Sequence, residues 1–258
     1  MDIFDILGPV MVGPSSSHTA GAARIGYMAR TLLGSRPVTA HIHLHGSFAE
    51  TGVGHGTDRA LVGGLLGMKP DDLRLPFAFE EARKQELDYT IDEIELPDAH
   101  PNTAVIEVDG EGGRHLEMQA SSLGGGRIMV NKLDGIEVNF TGAYNTLVIH
   151  NQDENGAVAM VTGILNQLHV NVANMSVNRH KRGGDALMVI ETDQHLLLHQ
   201  VDFLRQLDGI LSITYYDKED EDDGSQFDAG DLPADGGGPP VLLGGGPGLR
   251  RGGAPGES

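Results

Sequence analysis

The first stretch that could do chemistry is a run of hydroxyl side chains around one imidazole, formed by Ser15, Ser16, Ser17, His18 and Thr19. Serine and threonine cap helices by accepting hydrogen bonds from the first unpaired N–H groups. A helix start also carries a partial positive charge, which favours a carboxylate or phosphate. Histidine can exchange a proton near neutral pH. The run predicts an anion-binding helix start with a proton-transfer group, and an ordinary capped core helix is the alternative.

A second imidazole, His55, lies in a glycine-rich segment between residues 45 and 58. The glycines near it are Gly52, Gly54 and Gly56. They predict an exposed loop whose backbone can approach a ligand closely, with Thr57 or Asp58 capping the helix that follows. A loop that needs glycine only to turn is the alternative.

Three further histidines alternate along a predicted strand, at His41, His43 and His45. Imidazoles on one strand face can ligate zinc or iron. A polar sheet face without metal is the interpretation we favour, because no Asp, Glu or Cys has a convincing partner spacing. The predicted site therefore contains no metal ligand.

A second anion-binding candidate follows a predicted strand in the middle of the chain. It consists of two hydroxyls and a glycine turn: Ser121, Ser122, Gly124 and Gly125. Successive backbone N–H groups in such a turn can form a concave set of donors. A hairpin or bulge without a ligand is the alternative.

Periodic apolar residues indicate which elements position these groups. Spacing of three or four predicts a helix from the serine run to Gly34, with Arg24 and Arg30 on its surface. Alternation predicts strands before and after the glycine-rich segments. From residue 146 to residue 217 the pattern is strand, helix, strand, strand, helix, strand, which predicts a ferredoxin-like sandwich. The fold class is therefore α+β.

Composition limits the function further. The net charge of -19 argues against nucleic-acid and anionic-membrane partners. No apolar run reaches the length of about 20 residues that a membrane helix needs, and no secretory signal is expected, so we expect a cytoplasmic protein. The absence of cysteine excludes thiolate-held metal clusters from this chain.

Two segments carry a family resemblance. Phe4-Asp-Ile and Gly13-Pro-Ser-Ser-Ser-His-Thr19, together with His45-Gly-Ser and Thr51-Gly-Val-Gly-His-Gly-Thr-Asp58, resemble the beta subunit of iron-sulfur-dependent L-serine dehydratases. The resemblance implies an N-terminal α/β domain over residues 1–143, similar to an allosteric-substrate-binding domain. The later unit, residues 146–217, resembles an ACT domain. Residues 218–258 are acidic and then rich in Gly and Pro, which predicts a disordered tail without an assigned role.

The family resemblance implies β-elimination of L-serine to pyruvate and ammonia. It further implies a 4Fe–4S cluster, which must lie on a cysteine-bearing alpha subunit because this chain has no cysteine. His18 and His55 then become candidate catalytic residues. The seryl and threonyl run and the glycine turn described above become candidate substrate contacts.

The ACT resemblance implies an amino-acid effector and self-association through this module. Its candidate effector contacts are Asp153, Asn155, Gly156 and Asn171. A purely structural pairing domain is the alternative for this module. For the whole chain the alternatives are a regulatory amino-acid-binding protein without catalysis and a metal-binding protein built on the strand histidines.

Overall fold

Residues 15–218 are described by a computed structural model, and they form two β-sheets with α-helices packed against them. The helices are α1 (Ala22–Leu33), α2 (Ser47–His55), α3 (Thr57–Leu65), α4 (Ala78–Lys84), α5 (Ala157–Gln167) and α6 (Leu198–Arg205). The strands are β1 (Pro37–His45), β2 (Asp88–Glu93), β3 (Thr103–Gly110), β4 (Arg114–Gly124), β5 (Arg127–Leu133), β6 (Ile136–Phe140), β7 (Asn145–Gln152), β8 (Val172–Arg179), β9 (Asp185–Thr192) and β10 (Ile210–Tyr216). The motif at residues 4–6, Gly13, Pro14 and the predicted tail from residue 219 onward lie outside the described residues. Within residues 15–218, no helix combines the length and the apolar character that crossing a bilayer requires.

The first sheet has six strands in the order β2-β1-β3-β4-β5-β6. β1 and β2 are parallel, and the other pairs are antiparallel. Alternation along β1 places Ala40, Ile42 and Leu44 in the apolar core, as the sequence pattern predicted. The histidines of β1 lie on the opposite, polar face. The core residues of this sheet pack with those of α1 and α3.

Helices α1 and α3 are in close contact at glycines. A Cβ on Gly26 would lie 2.2 Å from the carbonyl oxygen of Leu61, and one on Gly64 would lie 2.2 Å from that of Ala23. No real side chain fits at such distances, so these glycines permit the two backbones to meet. The prediction that the helix ends at Gly34 is confirmed, since Gly34 has φ 66° in the left-handed region.

The predicted loop between residues 45 and 58 is wrong, because this segment forms α2 and the first residues of α3. Phe48 is fully buried, which stabilises a helix whose glycines would not favour it alone. Within residues 45–58, only Gly46 (56°) and Gly56 (72°) have positive φ, and they are the residues on either side of α2. Neither Thr57 nor Asp58 is the N-cap of α3, because Gly56 occupies that position and has no side chain. Asp58 still accepts a hydrogen bond at Oδ1 from the Arg59 N–H at 2.7 Å within the first turn.

The second sheet has four strands in the order β10-β7-β9-β8, with α5 and α6 contributing to the core on one side. This order and the connecting helices confirm the predicted ferredoxin-like arrangement. Val148, Leu187 and Val189 belong to the same core as α1, so the other face of this sheet is also buried. Thr214 of β10 donates a hydrogen bond from Oγ1 to the carbonyl of Leu32 at 3.2 Å, at the end of α1.

Candidate active site

The chain enters α1 through a π-helical turn, Ser16–Gly21. Ser15 caps it by accepting a hydrogen bond at Oγ from the His18 backbone N–H at 3.1 Å, as predicted for this serine run. Ala20 N–H reaches the Ser15 carbonyl at 3.4 Å, which is the wider spacing of a π-turn. Such turns are frequent at functional sites.

A contact with β4 holds this turn in place. The Ser122 hydroxyl donates to the carbonyl of Ser17 at 2.9 Å. A Cβ on Gly21 would lie 2.0 Å from Ser122 Oγ, so only glycine allows the approach. The geometry of the turn therefore depends on a strand about 100 residues later in the chain.

The His18 imidazole is half-buried and has hydroxyl neighbours at both ring nitrogens. Nδ1 lies 3.1 Å from Ser17 Oγ and 3.5 Å from Ser15 Oγ. Nε2 lies 3.2 Å from Ser47 Oγ and 3.1 Å from Thr51 Oγ1, both on α2. The ring is thus fixed between the start of α1 and one face of α2.

The hydrogen-bond pattern assigns a tautomer to neutral His18. The Thr51 hydroxyl donates its hydrogen to the Ser47 carbonyl at 2.8 Å, so its oxygen accepts from the imidazole. This places the imidazole hydrogen on Nε2 and the lone pair on Nδ1. The proton-accepting nitrogen then faces the seryl hydroxyls of the π-turn.

His55 lies beside His18, with the ring centroids 5.2 Å apart and the planes at 46°. The Thr19 hydroxyl fixes its backbone by donating to the His55 carbonyl at 3.1 Å. Phe48 packs edge-on against His18 at 5.4 Å between centroids. The His55 side chain is exposed, as predicted, although it belongs to the last turn of α2 and not to a loop.

The predicted glycine turn lies against the same π-turn. Gly124, Gly125 and Gly126 all have positive φ, from 62° to 84°. The Gly125 N–H lies 3.4 Å from Ser16 Oγ, and the Gly126 N–H donates to the Ser16 carbonyl at 3.3 Å. The two anion-binding candidates are thereby brought together.

Arg24 corrects another prediction. We expected it on the surface of α1, but it is half-buried and donates from its guanidinium to the Gly126 carbonyl at 3.2 Å. It adds a positive charge beside the glycine turn.

Ser121 and Ser122 are buried in β4. Ser121 donates to Asn131 Oδ1 at 2.8 Å and contacts Thr103 Oγ1 at 2.7 Å. Both hydroxyls therefore have protein partners, and their predicted contact with substrate stays a prediction.

Comparison of the sequence with known proteins identifies the family of this chain. The family model described as "Serine dehydratase beta chain" matches residues 1–133. The "Probable L-serine dehydratase, beta chain" of Bacillus subtilis is 42% identical over 82% of this chain and 96% of its own length. The chain belongs to the serine dehydratase beta chain family. The "L-serine dehydratase, beta chain" of Peptoniphilus asaccharolyticus is 37% identical over 75% of this chain and 87% of its own length. The resemblance read from the sequence is confirmed.

Among solved structures, the beta chain is similar to the ACT domain from GTP pyrophosphokinase of Chlorobium tepidum. That likeness covers 28% of the chain and 94% of the ACT domain, with 19% identity and a TM-score of 0.25. The ferredoxin-like arrangement of β7 to β10 rests on the strand order reported above.

Sequence reasoning did not include Ser47 and Thr51 in the site. Both stand in the motif segments quoted above, and their spacing of four places them on one helix face. The spacing of four was overlooked because the segment was interpreted as a loop, and residues four apart share a face only in a helix.

This chain provides no thiolate ligand for an iron–sulfur cluster. Its sequence has no cysteine. Within residues 15–218, no group of three or more His, Cys, Asp or Glu side chains is placed to hold a metal ion. His43 instead pairs with Asp92, and its Nε2 lies 3.7 Å from Glu107. His41 contacts Thr90 Oγ1 at 2.8 Å.

The predicted effector contacts lie at two ends of the second sheet. Asp153 follows the end of β7, where it pairs with Arg179 and accepts from the Gly183 N–H at 2.8 Å. The Gly183 N–H, followed by Arg179, lowers the pKa of the Asp153 carboxyl. Asn155 is exposed, and Gly156 begins α5 with φ 97°.

Asn171 precedes β8, beside the end of the sheet where β7 begins. Its amide donates to Asp193 Oδ2 at 2.5 Å, and its backbone N–H donates to Gln194 Oε1 at 2.6 Å. Asn171 is therefore not brought together with Asp153 within one chain.

Proposed function

We propose that this beta chain supplies the substrate-holding and proton-transferring half of an L-serine ammonia-lyase site, completed by an alpha subunit. One observation carries the proposal: His18 is fixed by hydroxyls at both ring nitrogens and lies 5.2 Å, centroid to centroid, from the exposed ring of His55. A base held rigidly beside an anion-binding turn suits removal of a proton next to a carboxylate.

The reaction is β-elimination. The Cα–H bond of L-serine breaks, its electrons form the Cα–Cβ double bond, and the hydroxyl leaves Cβ with a proton as water. The product, 2-aminoacrylate, tautomerises to an imine, which water hydrolyses to pyruvate and ammonia. The beta chain needs to hold the substrate and accept the α-proton.

The His18–His55 pair is the proton-transfer unit in this proposal. The Nδ1 lone pair of His18 faces Ser15 and Ser17, where a substrate carboxylate would displace or join the hydroxyl contacts. His55, which is exposed, lies on the side from which a partner can deliver substrate. Thr19 holds the backbone of His55, and the glycine turn holds Ser16 of the π-turn that carries His18.

The substrate carboxylate is bound at the π-turn and the adjacent glycine turn. The hydroxyls of Ser15 to Ser17 are the donors, and Arg24 provides the nearby positive charge. The Gly125 and Gly126 N–H groups donate to Ser16 and hold that residue in place. Ser121 and Ser122 support this surface from β4, and Gly124 and Gly125 shape it.

The 4Fe–4S cluster belongs to a cysteine-bearing alpha subunit, because the residues of this chain do not fit it. Departure of the hydroxyl therefore depends on that partner. Both relatives are named as a "beta chain", which supports a second kind of subunit.

An amino-acid effector binds between two copies of the ferredoxin-like unit. Asp153, Asn155 and Gly156 come from one copy and Asn171 from the other, because these residues lie at opposite ends of the sheet within one chain. Self-association through this unit follows from that arrangement.

The deciding experiment measures L-serine-dependent pyruvate formation by the chain alone and by the chain mixed anaerobically with a cluster-bearing alpha subunit. Activity only in the mixture is the expected result. Activity of neither sample, together with amino-acid binding by the lone chain, would favour the regulatory alternative.

A further inference from the structure

Asn102 holds a buried amide oxygen that lacks a hydrogen-bond partner among residues 15–218. Its backbone is engaged on both sides: its N–H donates to His100 Nδ1 at 3.1 Å, and its carbonyl accepts from the Ser122 N–H at 2.8 Å. The residue is therefore held firmly while its side-chain acceptor stays unused. Buried acceptors without a partner are rare in native proteins, and each calls for an explanation.

Asn102 joins the two segments that hold His18. On one side, the preceding Pro101 carbonyl accepts from Phe48 N–H at 3.4 Å, at the start of α2. On the other side, Ser122, bonded to the Asn102 carbonyl, donates to the carbonyl of Ser17 in the π-turn. The backbone of Asn102 is thus bonded to both segments around the candidate site.

The packing against Pro101 is close. A Cβ on Gly46 would lie 2.7 Å from the Pro101 carbonyl oxygen, so glycine is required where β1 meets α2. This contact fixes the segment that carries Asn102 against the helix that carries Ser47 and Thr51.

The chemistry of the proposed substrate requires an acceptor here. L-Serine carries an ammonium group with three N–H donors as well as a carboxylate. The seryl hydroxyls of the π-turn suit the carboxylate, and the imidazoles suit proton transfer. An amide oxygen is a neutral acceptor with two lone pairs, which suits an ammonium group.

We propose that Asn102 Oδ1 accepts a hydrogen bond from the α-ammonium group of L-serine and selects amino acids over hydroxy acids that lack nitrogen. This inference rests on the proposed function, because it takes L-serine as the substrate. The ammonium group of L-serine gains this hydrogen bond, whereas a hydroxy acid without nitrogen leaves the acceptor as unpaired as it is in the free protein.

The test compares L-serine with 3-hydroxypropanoate, which has the same carboxylate and hydroxyl but no nitrogen. KM for L-serine and Ki for 3-hydroxypropanoate are measured in the complex with the alpha subunit. Asn102→Ala is expected to raise KM by roughly 10- to 100-fold, the value of a charge-assisted hydrogen bond. Ki is expected to stay within about 2-fold, because the inhibitor makes no such bond.

Two further variants separate recognition from folding. Asn102→Asp retains an acceptor and is expected to retain the preference for L-serine. Asn151→Ala is the matched control, because Asn151 Oδ1 is also buried without a partner among the described residues but lies in β7. It is expected to change neither constant.

Equal weakening of both ligands by Asn102→Ala, or no change in either, would overturn the assignment. If the wild-type complex makes no pyruvate, the proposed function fails, and calorimetric binding of the same two compounds to the complex then decides on Asn102. A preference for L-serine that Asn102→Ala removes supports the assignment. Lack of any preference in the wild type contradicts it.

Discussion

Thr51 Oγ1 lies 3.1 Å from His18 Nε2 and, having donated its only hydrogen to the Ser47 carbonyl, accepts from the imidazole. This relationship fixes both the orientation of the His18 ring and the nitrogen that carries its hydrogen. A hydroxyl on α2 therefore sets which nitrogen of a histidine at the start of α1 accepts a proton.

Replacing His18 by Asn is expected to abolish turnover in the complex without loss of folding. Removal of a general base typically lowers the rate by about 10²- to 10⁴-fold, and the half-buried ring is not part of the apolar core. kcat for L-serine and the thermal unfolding midpoint of the chain provide the two measurements. Unchanged kinetics would remove His18 from the site.

Replacing Thr51 by Val keeps the shape of the side chain but removes the acceptor for His18 Nε2. We expect kcat to fall by about 10-fold, the value of one hydrogen bond, with a smaller effect on KM. Thr51→Ser retains the hydroxyl and serves as the control with near-normal kcat. Equal rates for the Val and Ser variants would show that the hydroxyl does not position the ring.

Replacing Gly26 by Ala places a methyl group against the backbone of α3. We expect the free energy of unfolding to fall by about 1–3 kcal/mol, because overpacked contacts force the helices apart. Gly163→Ala in α5 is the control, since its Cβ would meet nothing within 4 Å and alanine favours a helix by about 0.5–1 kcal/mol. Denaturant unfolding of both variants measures whether the free energy of unfolding falls for Gly26→Ala and rises for Gly163→Ala.

The His115–Asp109 pair predicts a pH dependence of stability. The Asp109 carboxylate, 2.8 Å from Nδ1, raises the pKa of His115. A raised pKa in the folded state stabilises the fold fully below the ordinary pKa of about 6.5, and this contribution is lost as pH rises through the folded value. Because the two side chains are 57% and 58% exposed, the effect is small, roughly 0.2–1 kcal/mol.

The measurement compares the free energy of unfolding of wild type and His115→Gln between pH 5.5 and pH 9. The difference is expected to be largest at the acidic end and to vanish at the alkaline end. Asp109→Asn is expected to remove the same contribution. A difference that grows with pH would contradict the assigned direction.

The sequence predicted most of the fold because burial imposes simple periods on it. Ala40, Ile42 and Leu44 alternate into the core, and the helix to Gly34 follows a period near 3.6. The order of strands and helices after residue 145 sufficed to predict the ferredoxin-like arrangement. In these segments local preference and tertiary packing agree.

Helix α2 was not predicted, because its two interior glycines, Gly52 and Gly54, disfavour a helix locally. Burial of Phe48 and the close fit of Gly46 to Pro101 decide its structure, and neither is visible from local sequence. The π-turn was missed for a similar reason, since it depends on Ser122 in β4. Arg24 was assigned to the surface because its contact with the glycine turn, about 100 residues later in the chain, is formed only by the tertiary fold.

The close contact of α1 with α3 at Gly26 and Gly64 affects both the stability of the fold and the geometry of the candidate site. His18 lies in the π-turn that continues into α1, and His55 lies two residues before α3 begins, so the separation of the two rings depends on how these helices pack. A substitution that separates the two helices at these glycines is therefore expected to shift both rings as well as to destabilise the fold. During evolution, a change in this contact would therefore alter the packing of the two helices and the position of the two histidines together.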